Sequence, residues 1–318
     1  VNTTRPAAGA ARVLLPGPLD LAASLAPLSR WGDDLVDRWD GVRLAGTAAT
    51  AAGPVPFVAV ARGDLACPWL DVLAPSAPAE VAAALTARFP PMPPEFADLC
   101  RDDPVVARLA GRFPGLRPVL RQDLLTALVH CVSAQQVNLA WAATTRRRLA
   151  LRFGRRHEVV GVEVHSHDAA RLAAASVAEV RSLQFTTAKA AALIEVARAV
   201  AAGRLALADL AALPDAEVVA RLTATRGIGT WSAGWVLART LGRPVVVTGD
   251  LGVRRAVGAA YRRGALPAPD EVRRATAHWG GAALAAQALL LHAWAVGALS
   301  AVDLSPAAQA LPEEQGPA

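Results

Sequence analysis

Residues 226–235 read RGIGTWSAGW, two glycines around one isoleucine followed at once by two tryptophans. Glycine lets the backbone turn through positive φ and lets a bulky group approach with no Cβ in the way. The amides at the start of a following helix have no intrahelical acceptor and point outward, which makes a phosphate site. Ile228 is expected to point inward and lock the two flanking helices; a plain helix–helix turn would use the same residues. Trp231 and Trp235 stand at i and i+4 and share one helix face, suited to holding a flat group or to core packing. Further on, VVVTGDLGVRRA sets Asp250 just before another helix, where an N-cap would need no function.

The elements that must position these residues are mostly helical. In the 318-residue chain, 53% of residues are hydrophobic, and alanine dominates, which suits helices packed through small side chains. Before FPPMPPEF at 89–96, β-like stretches (VRLAGTAAT, PVPFVAVARG) precede a helical SAPAEVAAALTARF. Asp123 precedes LLTALVHCVSAQQ, and VNLAWAATTRRRLALRF follows as a second helix whose basic positions Arg146, Arg147, Arg148 and Arg152 spread round its polar side. RRHEVVGVEVHSH at 155–167 reads as a loop or short ribbon, and VVV before Asp250 as strand-like. The expected fold class is mostly α with a small α+β N-terminal lobe. That lobe takes 1–92, and a helical lobe 119–235 contains the hairpin. A second helical lobe, built from 93–118 and 236–303, carries Asp250. The Pro-, Gln- and Glu-bearing tail 304–318 is expected to be disordered.

The order helix, G-I-G, helix with Trp, VVV, then Asp at a helix start resembles the helix-hairpin-helix DNA glycosylases, and within them the 3-methyladenine DNA glycosylase II family. LTATRGIGTWSA, VVTGDLGVRRA, the upstream VHCVSAQQVN and ALLLHAW near the end carry the likeness across roughly 95–300, with DLAASLAPL a less specific match to the family's β-rich lobe. The resemblance implies an enzyme that flips alkylated purines of the 3-methyladenine and 7-methylguanine type out of duplex DNA and excises them in base excision repair. It makes Asp250 the catalytic carboxylate, and Trp231, Trp235 and Trp294 the cleft for the flipped base. Thr225, Arg226, Gly227, Ile228, Gly229 and Thr230 become the DNA-binding hairpin. Gln136, with Gln135 beside it, becomes the wedge that fills the vacated stack. No cofactor is implied beyond a structural Na+ or K+ at hairpin carbonyls, with no metal held by side chains. Arg226 stands where family members often have Pro, and Trp235 where some have Tyr, which bears on turn shape and pocket width.

Lysine and cysteine usage narrows the subclass. Strand-nicking relatives use a lysine just after the hairpin; here that stretch reads TWSAGW, and Lys189, the chain's lone lysine, lies upstream. A monofunctional glycosylase without lysine-dependent lyase activity is expected. Three scattered cysteines, Cys67, Cys100 and Cys131, exclude a four-cysteine iron–sulfur cluster by count. Glu163, His165 and His167 have i, i+2 spacing, but H-x-H alone makes no zinc site and reads as a solvated loop. The basic run Arg146 to Arg156 either lies along DNA phosphates or keeps a helix face wet. A net charge of +6 favours an acidic partner, nucleic acid above all, and the resemblance makes that partner double-stranded DNA. No apolar run reaches spanning length and no leader pattern opens the chain, so a cytoplasmic monomer without membrane contact is expected. Two other readings stay open: a glycosylase for deaminated, oxidised or bulky-adduct bases, and a non-catalytic helix-hairpin-helix DNA-binding protein.

Overall fold

The computed structural model describes residues 10–299; the tail expectation for 304–318 lies outside them. Among these residues two compact units emerge, one formed by residues 10–90 with 118–243 and the other by 91–117 with 244–299. The first unit opens with β1 (Ala10–Leu14) and α1 (Leu21–Leu25). Strands β2 (Arg38–Trp39), β3 (Arg43–Thr50), β4 (Gly53–Gly63) and β5 (Pro68–Leu73) follow, then α2 (Pro78–Ala87). The strands form one antiparallel sheet in the order β1-β5-β4-β3-β2. Alternation along β3 and β4 covers both faces. Leu44, Phe57 and Ala59 face a core completed by Val81 and Leu85 of α2, while Ala45 and Val58 pack against Val159 and Val164.

The second unit begins with α3 (Glu95–Asp102) and α4 (Pro104–Arg112). The chain then returns to the first unit with α5 (Leu124–Ala134) and α6 (Leu139–Phe153). Their starts are fixed locally, because Asp123 accepts from Thr126 N at 2.6 Å and Asn138 from Trp141 N at 2.7 Å. The 155–167 stretch is a ribbon, β6 (Gly154–Val159) paired antiparallel with β7 (Val162–His167). Helices α7 (Ala169–Ala173), α8 (Val177–Ser182), α9 (Thr187–Ala201), α10 (Leu207–Ala211), α11 (Asp215–Thr223) and α12 (Thr230–Arg239) complete this unit. The second unit resumes with α13 (Leu251–Tyr261), α14 (Pro269–Ala275) and α15 (Ala283–Ala295).

Four expectations need correction. The boundary after 235 falls inside α12, whose turns run on to Arg239, and the division comes between Arg243 and Pro244. VVV at 245–247 is not a strand: it has no strand beside it, and the buried Gln287 of α15 accepts from Val247 N at 2.8 Å instead. Arg146 does not lie on the polar side of α6; it is 8% exposed, with Nε 2.8 Å from Asp34 Oδ2. His165 is buried on β7, its ring bonded to Ala150 O and Glu163 Oε1. Among the described residues no group of three His, Cys, Asp or Glu is placed to hold a metal, and no helix is long and apolar enough to cross a membrane.

Candidate functional site

The hairpin is built by helix termination on both sides. Helix α11 ends at Thr223, Ile228 N donates back to Thr225 O at 3.1 Å, and α12 starts at Thr230. Ile228 is 4% exposed and anchors the turn, while Arg226, Gly227, Gly229 and Thr230 are exposed and Thr225 is half-buried. The two glycines serve different needs. Gly227 has φ +88°, and a Cβ there would stand 2.2 Å from the Cβ of Ala192 on α9. Gly229 has φ −100° and ψ 179°, and its Cβ would meet nothing within 4 Å. The fold therefore demands glycine at 227, whereas nothing inside the protein demands it at 229. Helix α12 has no side-chain cap, so its first-turn amides are presented where an outside acceptor can reach them.

The turn between α5 and α6 belongs to the same surface. Gln135 Nε2 donates to Gly227 O at 3.2 Å and reaches Ser232 Oγ at 3.5 Å. Gln136 is exposed with φ +53°, a left-handed conformation that costs a non-glycine residue about 1–2 kcal/mol. Val137, Leu139 and Trp141 beside it are exposed at 36%, 41% and 39%, and the guanidinium of Arg148 lies 5.5 Å over the Trp141 ring. These three apolar residues belong to none of the motif roles read from the sequence. Their signal was available, because they fall outside the α6 stripe of Ala142, Ala143, Leu149, Ala150 and Phe153 that enters the core.

On α12, Ser232, Ala233, Val236 and Leu237 are buried, and Trp231 and Trp235 are half-buried together on its flank. Arg239 lies 5.4 Å over the Trp235 ring. The basic run of α6 and β6 is engaged with acids rather than arrayed alone: Arg152 pairs with Glu179, Arg155 with Asp168 and Arg156 with Glu163. Behind the α5–α6 turn, Asp34 Oδ2 takes Arg146 and lies 3.1 Å from His130 Nε2. Burial works against the Asp34 charge, yet His130 and Arg146 hold its carboxyl well below the usual range. Burial, aided by Arg121 and Arg146 and opposed by Asp34, pushes His130 down to about 3.

In the second unit Asp250 is the N-cap of α13, with Oδ1 accepting from Val253 N at 2.9 Å. Gly252 makes room for this, since a Cβ there would sit 3.0 Å from that oxygen. The carboxylate is half-exposed at the positive end of the α13 dipole. Helix α15 packs on α13 and carries Trp294, half-buried, with the Arg255 guanidinium of α13 6.0 Å from its ring. Of the expected residues, one unit therefore gathers the hairpin, Trp231, Trp235, Gln135 and Gln136, and the other gathers Asp250 and Trp294.

Residues 129–281 match the family model described as HhH-GPD superfamily base excision DNA repair protein. A Bacillus subtilis protein provisionally named a DNA-3-methyladenine glycosylase is 30% identical over 162 residues, covering 51% of this chain and 55% of that protein. A DNA-3-methyladenine glycosylase of the same organism is 28% identical over 186 residues, 58% and 61% of the two chains. The chain thus matches less than two thirds of the length of these curated relatives. The 3-methyladenine DNA-glycosylase from Archaeoglobus fulgidus superposes with a TM-score of 0.79 at 21% identity, over 89% of this chain and 97% of that one, which establishes a shared fold. The stretch that matches the HhH-GPD superfamily of base excision DNA repair proteins, residues 129–281, runs from α5 across the hairpin and past Asp250.

Proposed function

We propose that this protein is a monofunctional DNA glycosylase that flips alkylated purines from double-stranded DNA and hydrolyses their N-glycosidic bond. The observation that carries this reading is the pairing, within one matched segment, of an outward-facing glycine turn with a half-exposed carboxylate at a helix start. The hairpin holds a backbone phosphate on its amides, and the absence of any internal need for Gly229 is explained by the close approach of that phosphate. Gln136 enters the gap left by the flipped nucleotide. Trp231, Trp235 and Trp294 offer ring faces, on which a cationic base gains about 0.5–2 kcal/mol.

Bond cleavage leaves positive charge on the sugar, and the Asp250 carboxylate stabilises it while orienting the attacking water. An alkylated purine already carries positive charge and departs without a general acid. No amine stands after the hairpin for Schiff-base chemistry; the lone lysine, Lys189, has its Nζ 2.9 Å from Ser133 O. All the parts come from one chain, in keeping with a monomer. A monovalent cation at the hairpin fits its donor set, because the carbonyls of Thr225, Gly227 and Gly229 each accept one N–H and have a second lone pair for an ion. That ion would reinforce the phosphate contact.

A second reading is favoured by Arg239 and Arg255, whose guanidinium groups already lie over Trp235 and Trp294. Positive charge against these rings suits a neutral damaged base better than a cationic one. One experiment separates the two: single-turnover incubation of wild type and Asp250→Asn with methylated duplex DNA and with duplexes containing hypoxanthine, products resolved by mass. Release of 3-methyladenine or 7-methylguanine by wild type, slowed at least ~10²-fold in the variant with duplex affinity retained, is the expected result. Release of hypoxanthine alone selects the second reading. Tight duplex binding with no base released from either substrate rejects both.

A further inference from the structure

Helix α9 touches both turns that face DNA in this proposal. Lys189 Nζ donates to Ser133 O at 2.9 Å, at the C-terminal end of α5, just before the turn that carries Gln136. Ala192 fills the place under Gly227 where a Cβ would stand 2.2 Å away. Positions 189 and 192 are i and i+3, so one face of α9 supports the wedge turn and the hairpin together. Gln135 closes the third side, its Nε2 3.2 Å from Gly227 O. Ser133 is held on its hydroxyl as well, by Arg146 Nη1 at 3.2 Å, while that hydroxyl donates to His130 O at 3.0 Å.

The chemistry of Lys189 suits this place. The last carbonyls of a helix have no intrahelical donor, and a cation beside them also meets the negative end of the helix dipole. An ammonium on a flexible stem can serve a single carbonyl oxygen, whereas the planar guanidinium fork is matched to paired acceptors. Of the 33 Lys and Arg residues, Lys189 is the one lysine. A chain that uses arginine everywhere else uses lysine where one carbonyl must be held from a half-buried position.

We infer that Lys189 is a positioning residue: by tying the end of α5 to the α9 face that supports Gly227, it fixes the spacing between the phosphate grip and the Gln136 wedge. This rests on the glycosylase reading above, and it gives the lysine a role in base flipping rather than in covalent chemistry. The test uses the full chain and a lesion duplex with 2-aminopurine beside the target base, followed by stopped-flow fluorescence, for wild type, Lys189→Met and Lys189→Arg. Lys189→Met slows flipping and single-turnover release together by about tenfold. Its affinity for a duplex with a tetrahydrofuran abasic site, already unstacked, stays within about twofold, and Lys189→Arg recovers part of the rate.

Flipping at the wild-type rate in Lys189→Met overturns the inference. So does a parallel loss of melting temperature and abasic-duplex affinity, which marks a merely structural lysine. A borohydride-trapped DNA adduct present in wild type and lost in Lys189→Met overturns it too, by making the amine a nucleophile. A wild type that neither flips nor releases any base rejects the glycosylase reading first and this inference with it.

Discussion

At the scale of single residues, the hairpin separates what the fold needs from what a ligand needs. Gly227→Ala must push a methyl into Ala192 at 2.2 Å while keeping φ at +88°, a combination that costs about 1–3 kcal/mol. Gly229→Ala meets no atom and keeps an ordinary φ, so it costs about 1 kcal/mol or less, the usual difference between glycine and alanine at an N-cap. The two variants should therefore diverge. Gly227→Ala lowers the melting temperature. Gly229→Ala melts close to wild type but loses DNA affinity, because its new methyl stands where a phosphate approaches the α12 amides. Thermal melts beside a duplex-binding titration check both. Retained affinity in Gly229→Ala would remove the phosphate explanation for that glycine.

Between elements, the α5–α6 turn assigns opposite roles to neighbouring glutamines. Gln135 bonds Gly227 O across to the hairpin, so Gln135→Ala should lose about 1 kcal/mol. Gln136 stands exposed at φ +53°, so Gln136→Gly should relieve about 1 kcal/mol of left-handed strain while slowing base release by loss of the wedge. Opposite shifts in melting temperature, with the release rate falling more steeply in the stabilised variant, would distinguish latch from wedge. Much of this architecture was legible in the sequence because its signals are local. Asp123, Asn138 and Asp250 cap the helices they precede, and the G-I-G turn ends one helix and starts the next. Other features depended on partners distant in sequence. VVV reads as a strand until Gln287, 40 residues on, takes the amide of Val247. Arg146 reads as surface until Asp34, 112 positions away, draws it inward. The link from Lys189 to Ser133 was equally invisible, since the spacing of 56 residues fits no helical or strand period.

For the whole molecule, a net charge of +6 is less informative than where the charges are buried. Asp37 takes Arg88, just after α2, at 2.8 Å and Arg121, just before α5, at 2.9 Å, and Asp34 lies against Arg146 of α6 and His130 of α5, so two carboxylates of one N-terminal loop are held mostly by side chains of the 118–243 stretch of the same unit. Removing one partner of such a buried pair typically costs about 3–5 kcal/mol, because the other charge is left uncompensated. This cluster also makes stability depend on pH in a definite direction. His130 titrates at about 3 in the folded chain against an ordinary 6.5. Between those values the unfolded chain binds a proton that the folded chain refuses, so stability rises with pH and is lost as pH falls, by up to about 1.4 kcal/mol per pH unit. His157 and His167 are shifted down as well and act in the same sense. The lowered Asp34 carboxyl adds its own loss only below its ordinary 3.8. Above that point His130→Gln, which takes up no proton in either state, should flatten the fall in melting temperature without abolishing it. An acid slope identical to wild type would mean that His130 takes up a proton in the folded chain, and that the Asp34 pair is an ion triad with His130 charged.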